Sequence, residues 1–154
     1  MPKSGYTLIE ILVGITIIAL IFGFGYVSFR EFSRRQALAG AVKEIKGDLR
    51  LAQALALSGG KPAGCSGFLK GFGFRVESTS SYKIEASCMN IVEDKTVNLP
   101  TGISISTPSP NPVLFKVLGQ GTNIPSGGSA VITLTQAGTG STLVVTITDG
   151  GEIK

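Results

Sequence analysis

The sequence predicts an α+β protein. One long N-terminal helix, its first half transmembrane and its second half amphipathic, packs on a mostly antiparallel β-sheet domain. Three observations carry that prediction. From Tyr6 to Phe29 only Glu10 is charged. From Leu38 to Ala56 apolar residues recur at spacings of three and four, which places them on one face of a helix. After Pro62 glycine, serine and threonine become common and the apolar residues alternate, which is the period of a half-buried strand.

Composition narrows the function. The chain has 154 residues, enough for one domain plus an anchor. Charged residues make up 16%, against about 25% in soluble domains, so the chain leans toward a membrane or an assembly. The formal net charge of +4 is too mild to argue for nucleic acid by itself. There is no histidine, so the usual general base near neutral pH and the commonest metal ligand are both missing. Gly60-Lys61 lacks both the earlier glycine and the following Ser/Thr of a phosphate loop. Glu93 and Asp94 read as a solvated turn. No catalytic residue, metal site or cofactor is expected.

Taken as a helix, residues 6–29 would run about 36 Å, enough to cross a bilayer core. Hydropathy alone reads this as a plain signal anchor. A cleaved secretory signal would use Ala37-Leu38-Ala39, but Arg30, Arg34 and Arg35 stand between the apolar run and that site.

The run Lys3-Ser4-Gly5-Tyr6-Thr7-Leu8-Ile9-Glu10 resembles the class III leader of type IV prepilins and pseudopilins. In that family a short basic leader ends in glycine, an aromatic residue follows, then Thr-Leu-Ile-Glu and a long apolar run. The resemblance implies that residues 1–5 are a leader peptide. A prepilin peptidase would cut between Gly5 and Tyr6 and N-methylate Tyr6. Glu10 would then be the filament-assembly carboxylate, facing the new amine of a neighbouring subunit. A carboxylate at the bilayer centre costs about 3 kcal/mol on insertion scales, so a partner is expected. The implied partners are the peptidase, other pilins or pseudopilins, and the inner membrane. The distal domain is then expected outside the cytoplasm, in the periplasm. Counting flanking charges, Lys3 against Arg30, Arg34 and Arg35, gives the opposite orientation. The leader and the Ser/Thr-rich distal region favour export. The apolar segment lacks the helix-bending proline of many pilins, and Gly14, Gly23 and Gly25 are its weak points, each costing about 1 kcal/mol relative to alanine.

Residues 30–58 form the amphipathic half. Leu38, Ala41, Val42, Ile45, Leu49, Ala52, Leu55 and Ala56 share a face, while Arg34, Arg35, Lys43, Glu44, Lys46, Asp48 and Arg50 fall mostly elsewhere. Glu44 and Asp48 form a like-charge pair at spacing four. Gly59-Gly60-Lys61-Pro62 ends the helix near Ser58. The arginines at 30, 34 and 35 read as a headgroup anchor.

Residues 59–154 form the β-rich domain. Strands are expected at Phe72–Glu77, Tyr82–Ala86, Ile103–Ser106, Val113–Val117, Ala130–Leu134 and Leu143–Ile147. Ser78–Ser81 is a hairpin loop, Leu99–Gly102 a turn, and Thr107–Pro112 a rigid connector. The Gly-Phe-Gly-Phe strand, the Leu-Pro-x-Gly-Ile turn and the final strand into Asp149–Lys154 resemble the GspH/FimT-like branch of minor pseudopilins. That branch implies a structural subunit of a type II secretion pseudopilus or a type IV pilus, with a tip position. Some FimT-like pilins capture DNA through arginines in a C-terminal tail. Here Gly150–Lys154 offers one lysine and an acid, although Lys61, Lys70, Lys83 and Lys95 could form a patch. Cys65 and Cys88 either bridge or stay as free thiols. Without histidine they make a poor zinc site. A bridge would close a loop of about two dozen residues, worth about 3 kcal/mol.

Overall fold

A computed structural model describes Gly5 and residues 7–154, with side chains left out at residues 23–28. The leader residues 1–4 and Tyr6 lie outside the described residues. Helix α1 runs Leu8–Ser58, about 75 Å at 1.5 Å per residue. Gly59 closes it in the left-handed region (φ 64°, ψ 11°) and donates its N–H to the Ala56 carbonyl at 3.3 Å. A side chain there would be strained, so the expected stop after Ser58 has a concrete cause.

Two antiparallel sheets follow. The first has the order β3-β2-β1-β5, with β1 Gly71–Ser78, β2 Ser81–Ser87, β3 Ile91–Asn98 and β5 Val113–Lys116. The second has the order β4-β6-β7, with β4 Ile103–Ile105, β6 Ser129–Gln136 and β7 Thr142–Thr148. A short 3-10 turn, η1, spans Val117–Gly119. Helix α1 touches β1 and β5 of one sheet and β6 and β7 of the other, so it straddles both.

The core lies where the stripe meets the sheets. Leu38, Ala41, Ile45, Leu49, Ala52 and Ala56 are buried, with Val42 and Leu55 packed at its margin. Alternation supplies the other side. Phe72, Phe74 and Val76 pair across β1–β2 with Ala86, Ile84 and Tyr82, and all six are buried. The Phe74 and Tyr82 rings stack with centroids 4.8 Å apart. In the second sheet Ala130, Ile132, Leu134, Val145 and Ile147 face inward. Gly71 lets β1 and β5 close up, because a Cβ there would collide with the Phe115 carbonyl oxygen.

Two expectations need correction. Glu93 and Asp94 are not in a turn; they lie in β3, a strand that alternation missed. β3 is the outer strand of its sheet and its side chains are mostly exposed, so no apolar period was needed. Asp48 does not sit on the solvent side of the helix. It is 6% exposed, because Tyr82 and Lys95 bind its carboxylate.

Candidate functional site

The first site is the start of α1. Thr7 is the N-cap, in an extended conformation, and its hydroxyl accepts from the Glu10 N–H at 3.4 Å. The Glu10 carboxylate answers. Its Oε2 accepts from the Thr7 N–H and from the Thr7 hydroxyl, both at 3.0 Å. This is a capping box, which satisfies two helix-terminal donors reciprocally. The spacing Thr7-x-x-Glu10 carried that signal, and the sequence reading passed over it. Both bonds end on Oε2, while Oε1 accepts no hydrogen bond among the described residues. The carboxylate is exposed, as are Leu8, Ile9, Ile11 and Leu12 around it. Glu10 is therefore held in one orientation yet stays open to a further donor.

Gly5 is exposed, and a Cβ there would meet nothing within 4 Å. The isolated chain makes no steric demand for glycine at this position. Tyr6, the expected new N-terminus and methylation site, lies outside the described residues. Gly23 and Gly25 also fall in the stretch whose side chains are left out, while Gly14 has open space around it.

Beyond the cap, the described side chains of the apolar run extend to Phe22, and nearly all are exposed. Among the described residues no helix is long and apolar enough to cross a membrane. The crossing expected over residues 6–29 takes in Tyr6 and the side chains of 23–28, which are not described.

The second half of the helix is fastened by polar contacts at three levels. Arg34 Nη1 donates to the Gly138 carbonyl, in the β6–β7 turn, at 3.4 Å. Asp48 accepts from the Tyr82 hydroxyl at 2.8 Å and from Lys95 Nζ at 2.7 and 2.9 Å. Gln53 Nε2 donates to the Gly151 carbonyl at 3.2 Å. Burial, and then the bond to Asp48, push the Tyr82 hydroxyl's pKa well above its ordinary value.

Of the four lysines that could form a basic patch, two are engaged by carboxylates. Lys83 Nζ binds Glu93 at 2.6 Å and Glu77 at 2.9 Å, which raises its pKa. Lys95 is taken up by Asp48. Lys61 and Lys70 are exposed and make no ion pair among the described residues. Arg75 forms a bidentate pair with the buried Glu85, whose hydrogen bonds raise the guanidinium's pKa.

Cys65 and Cys88 are joined by a disulfide, with their Cα atoms 5.8 Å apart. It ties the loop before β1 to the β2–β3 turn. Asn90 reinforces the link: its Oδ1 accepts from the Ser66 N–H at 2.8 Å and its Nδ2 donates to the Gly64 carbonyl at 2.9 Å.

These features define a class: a small two-sheet domain on one long helix whose first half has no partner among the described residues. Residues 1–26 match the prokaryotic N-terminal methylation motif. That match supports a type IV pilin-like protein processed by a prepilin peptidase and suggests anchoring in the inner membrane. No curated protein and no solved structure matches the chain.

Proposed function

We propose that the protein is a structural minor pilin or pseudopilin subunit with no enzymatic activity. Prepilin peptidase removes residues 1–5 and methylates Tyr6. The helix then assembles with other pilins or pseudopilins into a type II secretion pseudopilus or a type IV pilus. The reading rests chiefly on the methylation motif over residues 1–26. Its Glu10 sits at the start of a helix whose described apolar side chains, Leu8 to Phe22, are nearly all exposed. A neighbour's amine at Tyr6 would be the donor that the open Oε1 lacks. The disulfide supports an oxidising compartment, hence a periplasmic distal domain. The distal fold, a helix beneath two antiparallel sheets, is compatible with the GspH/FimT-like branch.

DNA capture ranks second. Lys61 and Lys70, exposed and without an ion pair among the described residues, favour it, but Lys83 and Lys95 are spent on carboxylates. The C-terminal tail offers Lys154, itself paired with Glu152. Phosphate affinity grows with the number of basic contacts.

Co-expression with a prepilin peptidase tests the main reading. The full chain is expected to lose its leader, and Gly5→Val is expected to block that loss without unfolding the distal domain, since a Cβ there would meet nothing within 4 Å among the described residues. Cleavage that proceeds equally in Gly5→Val would contradict it.

A further inference from the structure

The end of the domain farthest from the apolar run has an unusual surface. One row crosses the first sheet there: Lys116 on β5, Gly71 on β1, Ser87 on β2 and Ile91 on β3. The helix terminus and η1 adjoin it, since Leu57 reaches Gly119 and Leu118 reaches Gly59. The disulfide loop adjoins it too, through the Lys70 N–H donated to the Ser87 carbonyl at 2.7 Å. This end exposes Leu57, Phe68, Met89, Ile91 and Leu118; Phe68, Met89 and Leu118 are 71%, 76% and 72% exposed. Leu118 also holds φ 55°, a conformation that leucine rarely adopts. The disulfide and the Asn90 bonds tie the Phe68 and Met89 loops to each other. Around the apolar side chains stand Lys61, Lys70 and Lys116, all exposed and without an ion pair among the described residues.

The opposite charge lies elsewhere on the same chain. On the first sheet Lys83 pairs with both Glu77 and Glu93, and Arg75, itself held by Glu85, lies close enough to act on Glu77. Asp94, exposed beside them, has no ion pair among the described residues. One surface therefore carries surplus cations and another surplus carboxylates.

We propose that the Leu118 end of one subunit docks on the Glu77–Glu93–Asp94 region of a second copy. This deepens the filament reading and rests on it. Charge complementarity fixes the partner: the carboxylates present on this chain match the lysines in sign. A nucleic-acid backbone would satisfy the lysines but leave the exposed apolar side chains in water. The two surfaces are different patches, so the contact is head-to-tail. Such a contact does not close into a symmetric dimer.

The test uses the full chain in its native host, with p-benzoylphenylalanine replacing Leu118. Photo-crosslinking is expected to join position 118 to residues 93–98 of a second copy. Lys70→Glu with Lys116→Glu should lower that yield about tenfold, since like charges across an interface are strongly unfavourable. Adding Glu93→Lys and Asp94→Lys to the same chain should restore it. An intact disulfide and unchanged protease resistance verify folding of each variant. Crosslinks to another protein or to nucleic acid, no crosslink, insensitivity to charge reversal, or failure of the second reversal to restore yield would each overturn the proposal. The mature N-terminus is measured in the same samples. Processing at Tyr6 with crosslinks elsewhere sinks only the docking surface, whereas an unprocessed chain sinks the filament reading.

Discussion

The two halves of α1 obey one helical geometry and meet opposite surroundings. From Leu38 to Ala56 the apolar residues lie on one stripe, and the chain's own sheets cover it. From Leu8 to Phe22 the apolar residues lie all round, and none of the described residues covers them. Apolar area buried within a chain contributes to that chain's stability, at about 25 cal/mol per Å². Apolar area left open contributes only when something else buries it. The distal half is therefore a folding device, and in the proposed function the proximal half meets neighbouring helices.

Substitutions can break this comparison. The largest effect is expected at Glu10→Gln. Glutamine keeps the capping-box pattern but removes the charge. If Glu10 serves assembly, filament incorporation should be lost, while denaturant unfolding of the distal domain shifts by less than about 0.5 kcal/mol. Normal incorporation would reduce Glu10 to a helix cap.

Matched leucines sharpen the contrast. Leu49→Ala, at a fully buried position, should cost about 3 kcal/mol in a denaturant titration. Leu12→Ala, at an exposed one, should leave that titration unchanged. Equal effects would mean that the two halves are not distinct.

The polar fastening comes next. Asp48→Ala strands the buried Tyr82 hydroxyl and frees Lys95. A cost of about 2 kcal/mol is expected, below the range for fully buried pairs because Lys95 is 40% exposed. Converting Cys65 and Cys88 to serine should cost about 3 kcal/mol by the chain-entropy estimate. A smaller loss would mean that the Asn90 bonds hold the loop unaided.

The smallest effect is in pH. Tyr82 has its folded pKa raised, so its contribution is fully present below the unfolded value of about 10. That contribution is lost as pH rises beyond it, because unfolding then allows ionisation. Stability should fall more steeply above that point in the parent than in Tyr82→Phe. Identical alkaline limbs would contradict the buried hydrogen bond.

Much of this was legible in the sequence where period and punctuation agree. The stripe from Leu38, the stop at Gly59 and the strands around Phe74, Ile84, Ile132 and Val145 all follow from patterns of three-four or two. β3 was not legible, because an outer strand with few buried side chains needs no apolar alternation. Asp48 was misplaced because its burial depends on Tyr82 and Lys95, distant in sequence and brought near by sheet register. The pairing of Lys83 was hidden for the same reason, since only register decides that it meets Glu77 and Glu93. The capping box at Thr7 and Glu10 was legible, but the carboxylate's expected role in assembly drew the reading away from its role in the helix.

The most direct measurement is the mass of the mature N-terminus, on protein purified from the membranes of its native host. A chain beginning at N-methylated Tyr6 is the expected result. A chain still beginning at Met1 or Pro2, in a host whose peptidase processes other pilins, would contradict the account and leave an ordinary signal-anchored protein.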